Sequence, residues 1–134
     1  MKLFIDTNIF LEIILEQEKA ENAKALLLKT EDHEFFISDF SLHSMGLLLF
    51  YRKQHPVFQQ FLKDMIIDGG IIITSLVVDD MENVVNVSQK FKLDFDDAYQ
   101  YVIAEKYDLT IISFDSDFDR TKQGRKTPAE VLKT

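Results

Sequence analysis

The sequence predicts an α/β fold, a three-layer sandwich in which helices cover both faces of a central parallel sheet of four to five strands. Short runs that are apolar throughout alternate with segments of helical periodicity, a pattern typical of strands buried on both faces. The 134 residues include no cysteine, and the chain shows no repeat and no linker. We therefore expect one domain over residues 1–134, with a core that needs neither disulfides nor a structural zinc.

The first quarter of the chain predicts one strand and two helices, and a second strand follows. Residues 3–5 and 34–38 are short apolar runs, which indicates strands. Asn8 is the predicted N-cap of the first helix, because Ile and Leu side chains follow it at helical spacing. Residues 20–30 form the second predicted helix, with a stripe of Ala and Leu along its buried side.

The middle of the chain predicts two helices and a third strand. A serine or aspartate within residues 38–41 caps the third helix, and Pro56 suits the first turn of a fourth, which ends before Gly69. Residues 71–73 are three consecutive isoleucines, which favour a strand because they are β-branched and apolar.

The last third predicts two further helices and a fourth strand. The helices follow the acidic residues 79–80 and 94–97, because apolar side chains recur after both at helical spacing. Residues 110–114 are the last apolar run, and we expect that strand to end at Asp115.

The net charge is −8, from 15 basic and 23 acidic side chains, and it is unevenly distributed. Residues 94–119 contain eight acids and one lysine, whereas residues 120–134 contain five basic residues and one acid. This balance argues against non-specific clamping of a phosphate backbone, which depends on Lys and Arg. No apolar run is long enough to span a membrane, and Asp6 comes too early for a signal peptide, so we expect a cytoplasmic protein.

Aspartates are concentrated where the predicted strands end and where a late helix begins. Asp6 and Asp115 follow strands, and Asp97 opens a helix, where Asp94 or Asp96 could take its place. The carboxyl ends of parallel strands meet at one edge, so these acids should converge. Each could instead cap a helix, but capping does not require convergence. A convergent set favours a divalent cation, Mg²⁺ or Mn²⁺, which can activate water for phosphodiester hydrolysis.

Three motifs, taken in order, resemble the PIN domain family. They are Ile5-Asp6-Thr7-Asn8 after the first strand, Asp97-Ala98 in the late helix, and Ile111-Ile112-Ser113-Phe114-Asp115-Ser116-Asp117-Phe118 at the last strand. The resemblance extends from Phe4 to Phe118, which is essentially the whole chain. It implies a Mg²⁺- or Mn²⁺-dependent ribonuclease that is commonly a homodimer. Such a protein is often the toxin of a VapBC-type toxin–antitoxin pair, with RNA as its substrate and an antitoxin protein as its partner.

The resemblance also implies a role for individual residues. The implied catalytic and metal-binding carboxylates are Asp6, Asp97 and Asp115, with Asp117 as an outer ligand. The implied supporting residues, which orient the acids through hydrogen bonds, are Thr7, Asn8 and Ser113.

The sequence departs from the family pattern in the helix after the second strand. PIN nucleases usually carry a Glu there, and the alignment puts Ser44 at that position, where a hydroxyl cannot supply the negative charge. Asp39 could supply it from another direction, whereas we expect His43 to lie on the helix surface. The alternative function is therefore a catalytically impaired PIN-like module that binds RNA or a protein. A small phosphatase is disfavoured because Asp6-Thr7-Asn8 lacks the second acid of an Asp-x-Asp motif, and a receiver-like domain is disfavoured because no strand-end Lys or paired acids match one.

Two other groups of residues have a structural and a functional interpretation. The aromatic residues around the acidic segment are Tyr99, Tyr101, Tyr107 and Phe114. They could stack on unpaired RNA bases, but we expect core packing for most of them. The basic residues that follow the segment could contact phosphates or could simply be solvated.

Overall fold

The computed structural model describes residues 1–133, and a four-stranded parallel sheet forms its centre. The strands are β1 (Lys2–Ile5), β2 (Glu34–Ser38), β3 (Ile72–Thr74) and β4 (Thr110–Ile112). Their order is β3-β2-β1-β4, so β1 and β2 are central. This architecture confirms the predicted α/β class and the parallel sheet. Thr134, the last residue of the predicted domain, lies outside the described residues.

Helices connect the strands. They are α1 (Thr7–Ile14), α2 (Ala20–Leu27), α3 (Asp39–Tyr51), α4 (His55–Phe61), α5 (Met81–Phe91), α6 (Phe95–Tyr107) and α7 (Pro128–Leu132). A π-helical segment, Leu62–Ile67, continues α4. Two 3₁₀ turns, Val78–Asp80 and Ser116–Arg120, precede α5 and follow β4. No helix within residues 1–133 is long and apolar enough to cross a membrane.

The side chains of the central strand divide the core into two parts. Leu3 and Ile5 are fully buried on one face of the sheet, among residues of α1, α2, α3 and α7. Phe4 points the opposite way, as alternation along a strand requires, and packs with residues of α5 and α6. The predicted three layers are therefore present. Because helices cover both faces of the sheet, the carboxyl ends of the strands are where polar side chains can meet a ligand.

The N-cap of α3 lies within the predicted residues 38–41, whereas the N-cap of α1 is not the predicted one. Asp6, not Asn8, is the N-cap of α1, and its carboxylate accepts a hydrogen bond from the Thr7 amide. Ser38 caps α3, because its hydroxyl accepts a hydrogen bond from the amide of Ser41. The prediction for Asn8 was wrong because its side chain points toward the end of β4.

β3 is more exposed than predicted, and β4 is shorter than predicted. β3 is an edge strand, and Ile72 and Ile73 are 48% and 43% exposed, so this apolar run is not buried on both faces. β4 ends at Ile112 rather than at Phe114. The chain turns at Ser113, whose amide donates to the carbonyl of Lys126. Asp115 therefore lies beyond a short turn and not directly after the strand.

Candidate metal centre

Asp6 lies at the carboxyl end of β1, buried beneath the start of α1. Its side chain is only 5% exposed, and both of its carboxylate oxygens are hydrogen-bonded. One oxygen accepts from the Thr7 amide at 2.7 Å, and the other accepts from the Ser113 hydroxyl at 2.6 Å. The short bond to Ser113 fixes the orientation of a carboxylate that has little contact with solvent.

Ser113 connects the ends of the two adjacent strands. Its hydroxyl donates to Asp6 and accepts from the side-chain amide of Asn8 at 3.2 Å and from the backbone amide of Asp115 at 2.9 Å. These three bonds use the full capacity of a hydroxyl group, and Ser113 is completely buried. Asn8 also accepts from the Phe114 amide at 3.3 Å. Ser113 and Asn8 therefore hold the loop after β4 against the start of α1.

Three further aspartates converge at this edge of the sheet. Asp97, Asp115 and Asp117 each offer one carboxylate oxygen, and these atoms lie within 4.8 Å of one another. Asp97 comes from the first turn of α6, and the other two come from the turn after β4. Asp94 and Asp96, the two alternatives to Asp97, do not belong to this group of three. Asp94 caps α6 by accepting from the Asp97 amide, and Asp96 is exposed.

Burial and the charges of nearby carboxylates govern the ionisation of Asp97 and Asp6. Burial, followed by the charges of the neighbouring carboxylates, raises the pKa of Asp97 to about 8. Burial also raises the pKa of Asp6, although its hydrogen bonds act in the opposite direction. Asp115 contributes to the upward shift of both groups. Asp6, Asp97 and Asp115 therefore form one electrostatic group whose negative charges are unfavourable without a cation.

The donor set fits a hard divalent cation. Every candidate ligand is a carboxylate oxygen, and Mg²⁺ and Mn²⁺ prefer oxygen ligands while Mg²⁺ keeps several waters. Asp97, Asp115 and Asp117 could each offer one oxygen to a shared ion, and the two buried oxygens of Asp6 each accept one hydrogen bond and keep further lone pairs.

Asp117 is held from outside the cluster by an arginine. Arg120 donates to its carboxylate at 2.9 Å and to the carbonyls of Phe91 and Lys92 at the end of α5. The second oxygen of Asp117 has no role in this ion pair. Arg120 therefore orients Asp117 while leaving one oxygen for a cation. This basic residue makes internal contacts, which its sequence position alone did not reveal.

A second polar network lies behind the acids, and part of it was missed by the sequence analysis. The Thr7 hydroxyl donates to the Ser41 hydroxyl at 2.6 Å, and Ser41 bonds in turn to Ser38 and Gln100. Gln100 is 3% exposed and also faces Asp6. Its position one turn after Asp97 was the available signal. Thr7 thus supports Asp6 through its backbone, while its hydroxyl bonds to α3.

Within residues 1–133, no residue near Ser44 supplies the carboxylate that the usual Glu of PIN nucleases would provide at that position. Ser44 is half-buried on α3, one turn beyond Ser41. Asp39 is exposed, and its carboxylate accepts from the Phe40 amide and the Tyr99 hydroxyl instead of joining the cluster. His43 is exposed on the helix surface, as expected.

Most of the aromatic residues of this region pack in the core, as expected. Tyr99 and Tyr101 are 7% and 1% exposed, so neither offers a ring to a ligand. Tyr107 is 43% exposed at the far end of α6. Phe114 is half-buried, and Lys19 lies 5.1 Å from its ring centre.

A family comparison agrees with this geometry. The model of the PIN domain matches residues 3–124. The chain belongs to the PIN domain family. The match includes Asp6, Asp97, Asp115 and Asp117 and, except for Lys2, both central strands of this PIN domain. No curated protein matches its sequence.

Solved structures share the fold of this PIN domain over nearly its whole length. A toxin–antitoxin complex from Klebsiella pneumoniae aligns with a TM-score of 0.72 and 23% identity, covering 94% of this chain and 97% of the other. VapBC2 from Rickettsia felis, bound to a DNA fragment from its promoter, aligns with a TM-score of 0.73 and 13% identity over 94% and 97% of the chains. FitAcB from Neisseria gonorrhoeae aligns at 0.69 with 19% identity over 95% and 98%.

Replacing Asp97 with Asn should stabilise the metal-free protein at neutral and alkaline pH. A carboxyl group whose pKa is raised from 3.8 to about 8 on folding favours the folded state only while it is protonated. Its unfavourable contribution therefore grows as the pH rises from about 4 to about 8. In EDTA, we expect the melting temperature of Asp97→Asn to exceed that of the native protein by several degrees at pH 8, with little difference at pH 4.

Asp79→Asn is the matched control, because Asp79 is exposed and lies outside the cluster. Its melting temperature should follow that of the native protein across the same pH range. An equal or lower melting temperature for Asp97→Asn at pH 8 would contradict the raised pKa of Asp97.

Proposed function

We propose that this PIN domain, residues 1–134, is a cytoplasmic endoribonuclease that depends on Mg²⁺ or Mn²⁺. The convergence of Asp97, Asp115 and Asp117, with the buried Asp6 close enough to act on Asp97, carries the proposal. Family membership supports it, because PIN domains are generally nucleases. A surface with several adjacent carboxylates accepts a phosphodiester only when a cation offsets its charge, which favours a metal-dependent reaction.

In this proposal each acid has a separate role. Asp6, Asp97 and Asp115 are the catalytic, metal-binding carboxylates, and Asp117, oriented by Arg120, is the outer ligand. The cation supplies activation of water and stabilisation of the charge that develops on the phosphate. Ser113 and Asn8 hold the turn after β4 next to Asp6 through hydrogen bonds, and the backbone amide of Thr7 donates to the Asp6 carboxylate.

Cleavage of RNA by purified protein tests the reaction directly. A panel of structured and single-stranded RNAs is incubated with Mg²⁺, Mn²⁺ or EDTA. We expect cleavage by the native chain in either metal and none in EDTA. Asp97→Asn should lower the rate by at least about 100-fold, because a metal ligand is lost while the shape of the side chain is kept.

Asp79→Asn again serves as control, since it removes one surface carboxylate without touching the cluster. Its cleavage rate should equal that of the native chain. Equal rates for Asp97→Asn and the native protein would indicate a contaminating nuclease or a different site. Binding of RNA without turnover in any metal would favour the alternative, a catalytically impaired PIN module that binds RNA or a protein.

Ser44 is the observation that favours this alternative, and it suggests a gain-of-function test. Ser44→Glu introduces a carboxylate on the face of α3 that carries Ser41 toward Thr7. If that carboxylate reaches the cluster, Mn²⁺ should bind about 10-fold more tightly, and the metal-free protein should become less stable. Isothermal titration with Mn²⁺ measures the first effect, and thermal melting in EDTA measures the second. Ser44→Gln, which has nearly the same shape without the charge, should leave Mn²⁺ affinity unchanged.

We further propose that the chain is the toxin of a toxin–antitoxin pair and that it forms a homodimer. The similar structures from Klebsiella pneumoniae and Rickettsia felis, a toxin–antitoxin complex and a VapBC protein, support an antitoxin partner. Light scattering of the purified chain measures the number of subunits. The acidic cluster predicts that the antitoxin presents Arg or Lys, because a cation on a side chain can occupy the electrostatic position of the metal.

Affinity purification from the native host tests for such a partner. A short protein with a basic segment should co-purify with the tagged chain and should dissociate at high salt. A variant that carries Asp97→Asn and Asp117→Asn should retain much less of it, because two of the charges that face the segment are gone. Equal retention by the native and variant chains would exclude the cluster as its binding site.

A further inference from the structure

Arg125 lies beside the acidic turn but outside the segment matched by the PIN family model, which ends at residue 124. The chain reaches it through Gly124, whose φ of +67° reverses the backbone direction. The side chain of Arg125 is only 16% exposed, which is low for an arginine near a terminus. It is therefore packed against the protein and does not extend into solvent.

The guanidinium of Arg125 contacts both ends of the turn after β4. One of its terminal nitrogens donates to the carbonyl of Ser113 at 3.0 Å. Its Nε and its other terminal nitrogen each donate to one carboxylate oxygen of Asp119, both at 3.2 Å. This two-bond arrangement matches the planar guanidinium to the carboxylate and restricts both side chains.

These contacts enclose the segment that contains two of the clustered acids. Ser113 precedes Asp115 and Asp117 in the chain, and Asp119 follows them. Arg125 is hydrogen-bonded to both Ser113 and Asp119. Ser113 is also held through its amide, which donates to Lys126, and through its hydroxyl, which bonds to Asp6. The segment 113–119 is therefore closed into a loop whose two ends are both hydrogen-bonded to Arg125.

We propose that Arg125 and Asp119 form a clasp that positions Asp115 and Asp117 for a divalent cation before the cation binds. The inference rests on the proposed metal-dependent function and adds two positioning residues to it. Two like charges at 4.8 Å or less tend to move apart when no cation is present, and the clasp opposes this movement. An open loop would have to be ordered during metal binding, and that cost would lower the affinity.

The chemistry of the clasp requires arginine in particular. Lysine keeps the positive charge but has a single nitrogen, so it cannot bridge the Ser113 carbonyl and both oxygens of Asp119. Arg125→Lys thus separates geometry from charge. Asp119→Asn tests the other side of the clasp, and Arg52→Lys is the matched control, since Arg52 is exposed at the end of α3.

Isothermal titration with Mn²⁺ measures the effect on the metal site. We expect Arg125→Lys and Asp119→Asn each to raise the dissociation constant about 10-fold, as loss of supporting contacts around metal ligands does. The double variant should bind no more weakly than either single one, because both changes open the same clasp. Arg52→Lys should match the native protein. At saturating Mn²⁺, RNA cleavage by Arg125→Lys should recover to near the native rate.

Amide hydrogen exchange in EDTA tests the positioning without any metal. The amides of Asp115 and Asp117 are hydrogen-bonded to Ser113 and Asp115 side chains, and they should exchange faster in Arg125→Lys. Amides of the central strand β1 should keep their native rates, which shows that the variant is folded. Native exchange rates and native Mn²⁺ affinity in Arg125→Lys would overturn the clasp.

The two proposals fail in different ways. If the native chain binds Mn²⁺ and cleaves RNA but Arg125→Lys matches it in affinity and exchange, the function stands and the clasp is wrong. If the native chain binds neither Mn²⁺ nor Mg²⁺, the proposed function and the metal-positioning role of the clasp are both wrong, whatever the exchange rates are.

Discussion

The parallel pairing of β1 with β4 is the constraint on which the site depends. It places Asp6 and Ser113 side by side at the carboxyl edge of the sheet, and the hydrogen bond between them is 2.6 Å long. The same register directs the chain after β4 back over this edge and delivers Asp115 and Asp117. Apolar packing on both faces of β1 makes the register rigid, because a shift of one residue would place Phe4 on the wrong side.

Holding four carboxylates together opposes folding unless something compensates for their charge. Some compensation is built into the protein: Ser113 and Thr7 bond to Asp6, the N-terminal turn of α6 carries Asp97, and Arg120 pairs with Asp117. Burial, together with the remaining repulsion from neighbouring carboxylates, still raises the pKa of Asp97 to about 8. The carboxylates therefore repel one another while their hydrogen bonds hold them in place, and this combination favours binding of a cation.

The sequence predicted the parts of the protein that local patterns encode. Apolar runs located all four strands to within two residues, and the order of the acids predicted their convergence, because strand ends in a parallel sheet share an edge. It could not show that Gln100 is buried or that Arg120 and Arg125 bond internally, since these contacts depend on how distant segments pack. The cap of α1 was misplaced by two residues because Asp6 and Asn8 are both good capping residues.

The order of the strands also determines when the site can form during synthesis. Asp6 emerges first, but its partner Ser113 lies 107 residues further along, so their contact is among the most non-local in the fold. Chain segments that pair early, such as β1 with β2, cannot assemble the acids without the last strand and its turn. This contact can form only after the last strand has been synthesised, because Ser113 follows that strand. A nascent chain that lacks the turn after β4 therefore contains Asp6 but neither Asp115 nor Asp117, and its acidic cluster is incomplete.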